Sequence, residues 1–172
     1  MENGLFSNLY TQGLTERKKE GLFTAIYLGA LFILVAIIYF SYLPNNLISD
    51  IINFFTNLTL SEVPGIGVSL PAPTNPTAHI QLYTAAFQFS IGIGVLEIII
   101  LALRVLWHSS VARKAETVEN IVFWLGTSYL VITYLVNMTI PSEWFVFWAG
   151  IIMIFGLALV ARAFILLAKR QP

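Results

Sequence analysis

Cysteine is absent from this chain of 172 residues. That excludes disulfides, thiolate zinc sites, iron–sulfur clusters and a cysteine nucleophile together. Charge is scarce too: only 10% of residues are charged, against about 25% in soluble domains. Nine Lys plus Arg balance nine Asp plus Glu, so no basic excess points to nucleic acid as a partner. Histidine occurs only at His79 and His108. These sit at opposite ends of one predicted helix, roughly 40 Å apart, too far to share a haem or a zinc ion. No His-Glu-x-x-His, Gly-x-Ser-x-Gly or P-loop occurs. Ser90 has no histidine at its own depth to activate it. No cofactor is expected, and an enzyme is the less favoured class.

What the chain has instead is apolar length. Hydrophobic residues make up 58%, and four runs, about 22–43, 82–106, 121–140 and 144–167, each match roughly 30 Å of hydrocarbon. The runs are continuous rather than alternating, which predicts helices and not a barrel. The expected fold class is an all-α integral membrane protein. It would be a four-helix transmembrane bundle forming a single membrane domain, residues 1–172, with the lipid bilayer as its surroundings.

Lys and Arg set the orientation, because they remain on the cytoplasmic side. Arg17, Lys18 and Lys19 precede the first run, Arg113 and Lys114 separate the second and third, and Lys169 and Arg170 follow the fourth. The connections 44–81 and 141–143 contain neither Lys nor Arg, but do contain Asp50, Glu62 and Glu143. Both termini are therefore expected in the cytoplasm, with a prokaryotic cytoplasmic membrane as the default location. Tyr39, Tyr42, Tyr83, Trp144 and Trp148 fall near the outer interface and Trp107 and Trp124 near the inner one, as an aromatic belt requires. Residues 1–20 are largely polar, unlike a cleavable signal peptide. Leu5, Phe6, Leu9, Tyr10 and Leu14 predict a short amphipathic cytoplasmic helix. Thr15 is placed to cap a second helix leading into the first span.

The outer loop, 44–81, divides in two. Leu47, Ile48, Ile51, Ile52, Phe55 and Leu58 line one helical face, predicting an amphipathic helix in the outer interface or against the bundle. Pro64, Gly65, Gly67, Pro71, Pro73 and Pro76 then predict a stretch without regular structure. It is either an extended lid or a re-entrant filter built on Gly65-Ile66-Gly67-Val68. Asn57-Leu58-Thr59 is a glycosylation sequon.

Glu97, Arg104 and Arg162 are ionisable residues inside the apolar runs. Each costs roughly 2.5–3.5 kcal/mol at mid-bilayer on insertion scales and needs a partner or water. The helix face of Glu97 also carries Ala86, Ser90, Arg104 and His108, with Gly94 beside it. Ala86, Ser90 and Gly94 make a small-xxx-small packing face, directed into the bundle or toward another protomer. Counting from the helix ends, Glu97 and Arg162 differ in level by about 6 Å, and Tyr129 by about 3 Å. A group of Glu97, Arg162 and Tyr129 is expected, with Arg104 reaching inward to the interface. Tyr129, Thr133 and Asn137 form a polar stripe with Gly126 nearby. Such a group serves as a structural ion pair, as a proton or ion pathway, or as a site for a lipid headgroup or a partner's charge.

Gly92-Ile93-Gly94-Val95-Leu96-Glu97, with four helices and a long first outer loop, resembles the small DoxX-type membrane proteins. The Gly-x-x-Lys end of their first helix is replaced here by Tyr39-Phe40-Ser41-Tyr42, and no residue role is carried over. The functional expectation is a non-enzymatic membrane protein that associates with itself, as a homo-oligomer, or with a partner membrane subunit in a larger complex. The alternative is a small channel or transporter with Glu97 in the pathway.

Overall fold

The computed structural model describes the backbone of residues 3–43 and 46–168, with the side chains of Lys18 and of residue 20 onward in those ranges. Lys169 and Arg170 lie outside the described residues, as do the side chains of Leu5, Phe6, Leu9, Tyr10, Leu14, Arg17 and Lys19. The chain is mostly helical, and four of its helices are long and apolar enough to cross a membrane. α1 runs without interruption over Asn3–Ser41. The expected start at Thr15 is corrected: the first proline is Pro44, and no residue before it forces the backbone out of the helix.

α2 follows at Leu47–Thr56. It turns Leu47, Ile51 and Phe54 partly inward, while Ile48, Ile52 and Phe55 stay exposed. The segment expected to lack regular structure forms an antiparallel hairpin of β1 (Leu58–Glu62) and β2 (Ser69–Pro73), pairing Leu60 with Pro71 and Leu58 with Pro73. The chain is therefore not entirely helical. Pro71 and Pro73 are tolerated because alternate residues of a strand direct N–H and C=O to the same edge, here the free one. The free-edge carbonyl of Pro71 accepts the Trp144 indole N–H at 3.0 Å. Pro64 and Gly65 occupy the central positions of a turn closed by Ile66 N–H to Val63 O, and Gly65 has φ +80°. That is the type II geometry in which proline and then glycine are favoured. Gly65-Ile66-Gly67-Val68 is thus an exposed hairpin tip, and the filter reading is withdrawn.

After a short 3-10 turn at Pro76–His79, α3 spans Ile80–Leu106 and α4 spans Val111–Leu130. A π-helical turn, Val131–Val136, continues α4, and α5 covers Glu143–Ala168. The helix that carries the third apolar run extends over Val111–Val136, so it begins ten residues before that run and includes the charged turns at its start. α1 packs on α3, α3 on α4 and α4 on α5. Close approach is marked by glycine: a Cβ on Gly94 would overlap Leu125 of α4, and one on Gly126 would lie 2.6 Å from Ile154 of α5. At the hairpin end, Ala72, Tyr83, Leu130, Trp144 and Phe147 form the main apolar core.

α3 ends in a tight reversal. Ser109 N–H bonds to Arg104 O at 2.9 Å and His108 N–H to Val105 O at 3.1 Å. His108 has φ +54°, so this is a Schellman motif with histidine where glycine is usual. The left-handed conformation costs an L residue roughly 1–2 kcal/mol. His108→Gly should therefore stabilise the protein by about 0.5–1 kcal/mol, and β-branched His108→Val should destabilise it. Melting temperatures in detergent would check both.

Candidate functional site

At the end of the molecule away from the hairpin, three helices each contribute one polar stripe. Glu20, Thr24 and Tyr27 lie on α1, Glu97 and Arg104 on α3, and Arg113, Glu116 and Asn120 on α4. Spacings of three, four and seven place each set on a single helix face. With Phe23 and Ile100 they line a cleft of about 290 Å³, room for several water molecules.

Arg104 organises the mouth. Its Nη2 is 3.1 Å from Glu20 Oε2. Its Nη1 donates to the Arg113 carbonyl at 2.8 Å and to Thr117 Oγ1. Thr117, which is fully buried, donates its hydroxyl to the same carbonyl at 2.9 Å. Glu20 Oε2 also lies 3.8 Å from Arg113 Nε, and Arg113 Nη1 bonds Glu116 Oε2 at 3.1 Å. One turn or two deeper, Glu97 is only 4% exposed, and its Oε1 accepts from Asn120 Nδ2 at 2.9 Å. Among the described residues no Lys or Arg lies within ion-pair distance of Glu97. Three carboxylates and two guanidiniums line the cleft. The guanidiniums are engaged by Glu20 and Glu116, and among the described residues Glu97 has only the Asn120 amide as a hydrogen-bond partner.

The expected group of Glu97, Arg162 and Tyr129 does not form. Arg162 Nη1 bonds Glu119 Oε2 at 2.8 Å, because α5 packs on α4, and α4 stands between Arg162 and α3. Tyr129 is 64% exposed between buried Ser128 and Leu130. The stripe it was to share with Thr133 and Asn137 is broken by the π turn, where Asn137 N–H reaches back five residues to Ile132 O. The extra residue in that turn shifts the helix phase. Arg104 turns into the network with Glu20, the Arg113 carbonyl and Thr117. Ala86 is half-buried and accepts from the Ser90 hydroxyl at 2.7 Å, while Ser90 and Gly94 are buried. Gly94 faces Leu125, so this part of the packing face meets α4 of the same chain.

Sequence reasoning missed Glu20, Glu116, Thr117, Asn120 and Glu119. The signal was present: residues 113, 116, 117 and 120 share one helical face, visible once the helix is begun at Val111. His79 and His108 stay apart, and among the described residues no group of metal-binding side chains assembles. No family model, curated protein or solved structure matches the chain, so the cleft itself is the ground for a functional reading.

The contacts predict a pattern of energetic coupling. In a double-mutant cycle, Glu119→Gln and Arg162→Leu should couple by about 0.5–3 kcal/mol, as touching residues do. Glu97→Leu and Arg162→Leu should be additive within about 0.5 kcal/mol, since they share no partner. Unfolding free energies in mixed micelles would measure both cycles.

Proposed function

We propose that the protein handles a small cation, the proton included, at Glu97, as a compact channel or transporter. The observation that carries this reading is a buried carboxylate with no cationic partner among the described residues, facing a cleft that can hold water. Ionisable groups within spans are costly to maintain and mark ion or proton paths by default. Asn120 orients the carboxylate, and Thr24 and Tyr27 supply further oxygens along the same wall. Glu20, Arg104, Arg113 and Glu116 form the charged entrance.

Orientation follows from the positive-inside bias. Lys18, Arg113 and Lys114 share the cleft end, while the described loop 46–81 at the other end has no Lys or Arg. We infer that the cleft opens to the cytoplasm of a prokaryotic cell, with both terminal segments on that side. α2 then lies in the outer interface, its exposed Ile48, Ile52 and Phe55 against lipid. Cysteine introduced by Ser69→Cys, at the exposed hairpin, should react with an impermeant thiol reagent in intact cells. Cysteine from Ser110→Cys, exposed beyond α3, should react only after the cells are opened. The reverse labelling would invert the orientation.

Association with a second copy or a partner subunit is the second reading. It draws on the broad exposed apolar surfaces of α1 and α5, including Phe32, Phe40 and Phe164, more than on the α3 packing face.

The cation reading is tested by flux in proteoliposomes under imposed proton, sodium and potassium gradients. Wild-type protein should conduct one of these ions. Glu97→Gln should lower the flux by roughly a hundredfold, the lower end of what a positioned proton-transfer group contributes, with the melting temperature kept. No flux from wild type under any of the gradients, or full flux from Glu97→Gln, would overturn it.

A further inference from the structure

The opposite end of the molecule holds a second, larger cavity of different chemistry. A groove of about 740 Å³ runs between α5 on one side and α2 with the hairpin on the other. Trp144, Trp148 and Ile152 recur every fourth residue and form its floor over about 12 Å of α5. Phe55, Ile66 and Leu70 form its roof. The lining is almost wholly apolar, and the one indole donor at the upper end, Trp144 Nε1, is already bonded to Pro71 O. A volume of this size is that of a ligand site rather than a packing defect.

The lower end of the groove identifies the occupant. Trp148 is 50% and Ile152 74% exposed, on a helix long and apolar enough to cross the membrane. The groove is therefore continuous with the bilayer-facing surface of α5, and hydrocarbon is the material in contact with its mouth. Water gains nothing there, because the walls offer it no hydrogen bonds. The lack of basic residues at this end bears on the headgroup. The described loop, 46–81, carries Asp50 and Glu62 without Lys or Arg, and the Glu143 carboxylate at the start of α5 is held by Thr139. An anionic headgroup therefore meets no Lys or Arg of that loop to neutralise it, which favours a headgroup that carries its own cation.

We propose that this groove binds one acyl chain of a zwitterionic phospholipid from the hairpin-side leaflet, held under the hairpin as an ordered lipid. The site is independent of Glu97 and stands or falls separately from the cation reading.

The test is native mass spectrometry of the full chain released from vesicles of phosphatidylethanolamine and phosphatidylglycerol into mild detergent. Wild-type protein should retain a phospholipid, enriched in phosphatidylethanolamine relative to the vesicles. Ala149 lines the groove from an exposed position. Ala149→Phe should fill the groove and weaken retention roughly tenfold, the effect of excluding about two methylenes. Val95→Phe, on an exposed position of α3, should retain lipid like wild type. The proposal is overturned if wild type carries no lipid, if both variants behave alike, or if phosphatidylglycerol is preferred. A second protein chain in place of the lipid would overturn it as well.

Discussion

The contact between the last turns of α3 and the first turns of α4 carries the charged end of the molecule. Arg104 meets α4 through the Arg113 carbonyl and Thr117 and meets α1 through Glu20. One guanidinium thus fastens three helices. An arginine supports this because its several donors point in fixed directions and satisfy different acceptors at once. The left-handed residue His108 makes the reversal tight enough for Arg104 and Arg113 to meet. Without that junction Arg104 would lose its bonds to the Arg113 carbonyl and to Thr117, and an unsatisfied charge within a span costs a few kcal/mol.

Glu97 is a consequence of the same junction. Once Arg104 and Arg113 are engaged by Glu20 and Glu116, the carboxylate deeper in the cleft is left, among the described residues, with the neutral amide of Asn120. A purely structural network in a membrane tends to close on itself, since an unshared charge is expensive there. This one ends on a carboxylate beside an open space, and that asymmetry is the ground of the cation proposal. Arg162 with Glu119 has the closed arrangement, and it joins α5 to α4.

The hairpin end is built from other forces. Phe54 contacts the rings of His79, Tyr83 and Trp144 at centroid separations of 5.3 to 6.3 Å. Ala72 of β2 joins the core formed by α3, α4 and α5. Two strands alone are marginal in water, and the Trp144 bond to Pro71 with this aromatic packing anchors them. Aromatic residues suit such a boundary because they combine a large apolar area with a polar edge. The groove beneath the hairpin is the space left between that anchor and α5.

The four apolar runs, the scarcity of charge between them and the bias of Lys and Arg were legible in the sequence, because span length and hydropathy are local quantities. The helix at 47–56 was legible from its periodicity. The hairpin was not, because the density of proline and glycine reads as irregular chain until strand pairing shows that both prolines face a free edge. Glu97 stood out as a buried charge in the sequence, yet its neighbours did not. Depth along a helix follows from counting residues, whereas the identity of the adjacent helix is decided by packing. Counting put Arg162 within about 6 Å of the depth of Glu97, but α4 lies between them and takes Arg162 onto Glu119, leaving Asn120 for Glu97. The sequence by itself determined a membrane protein with an intramembrane carboxylate. Only the tertiary structure decided which side chains surround that carboxylate, because helix order and the phase of α4 arise from contacts that no local pattern encodes.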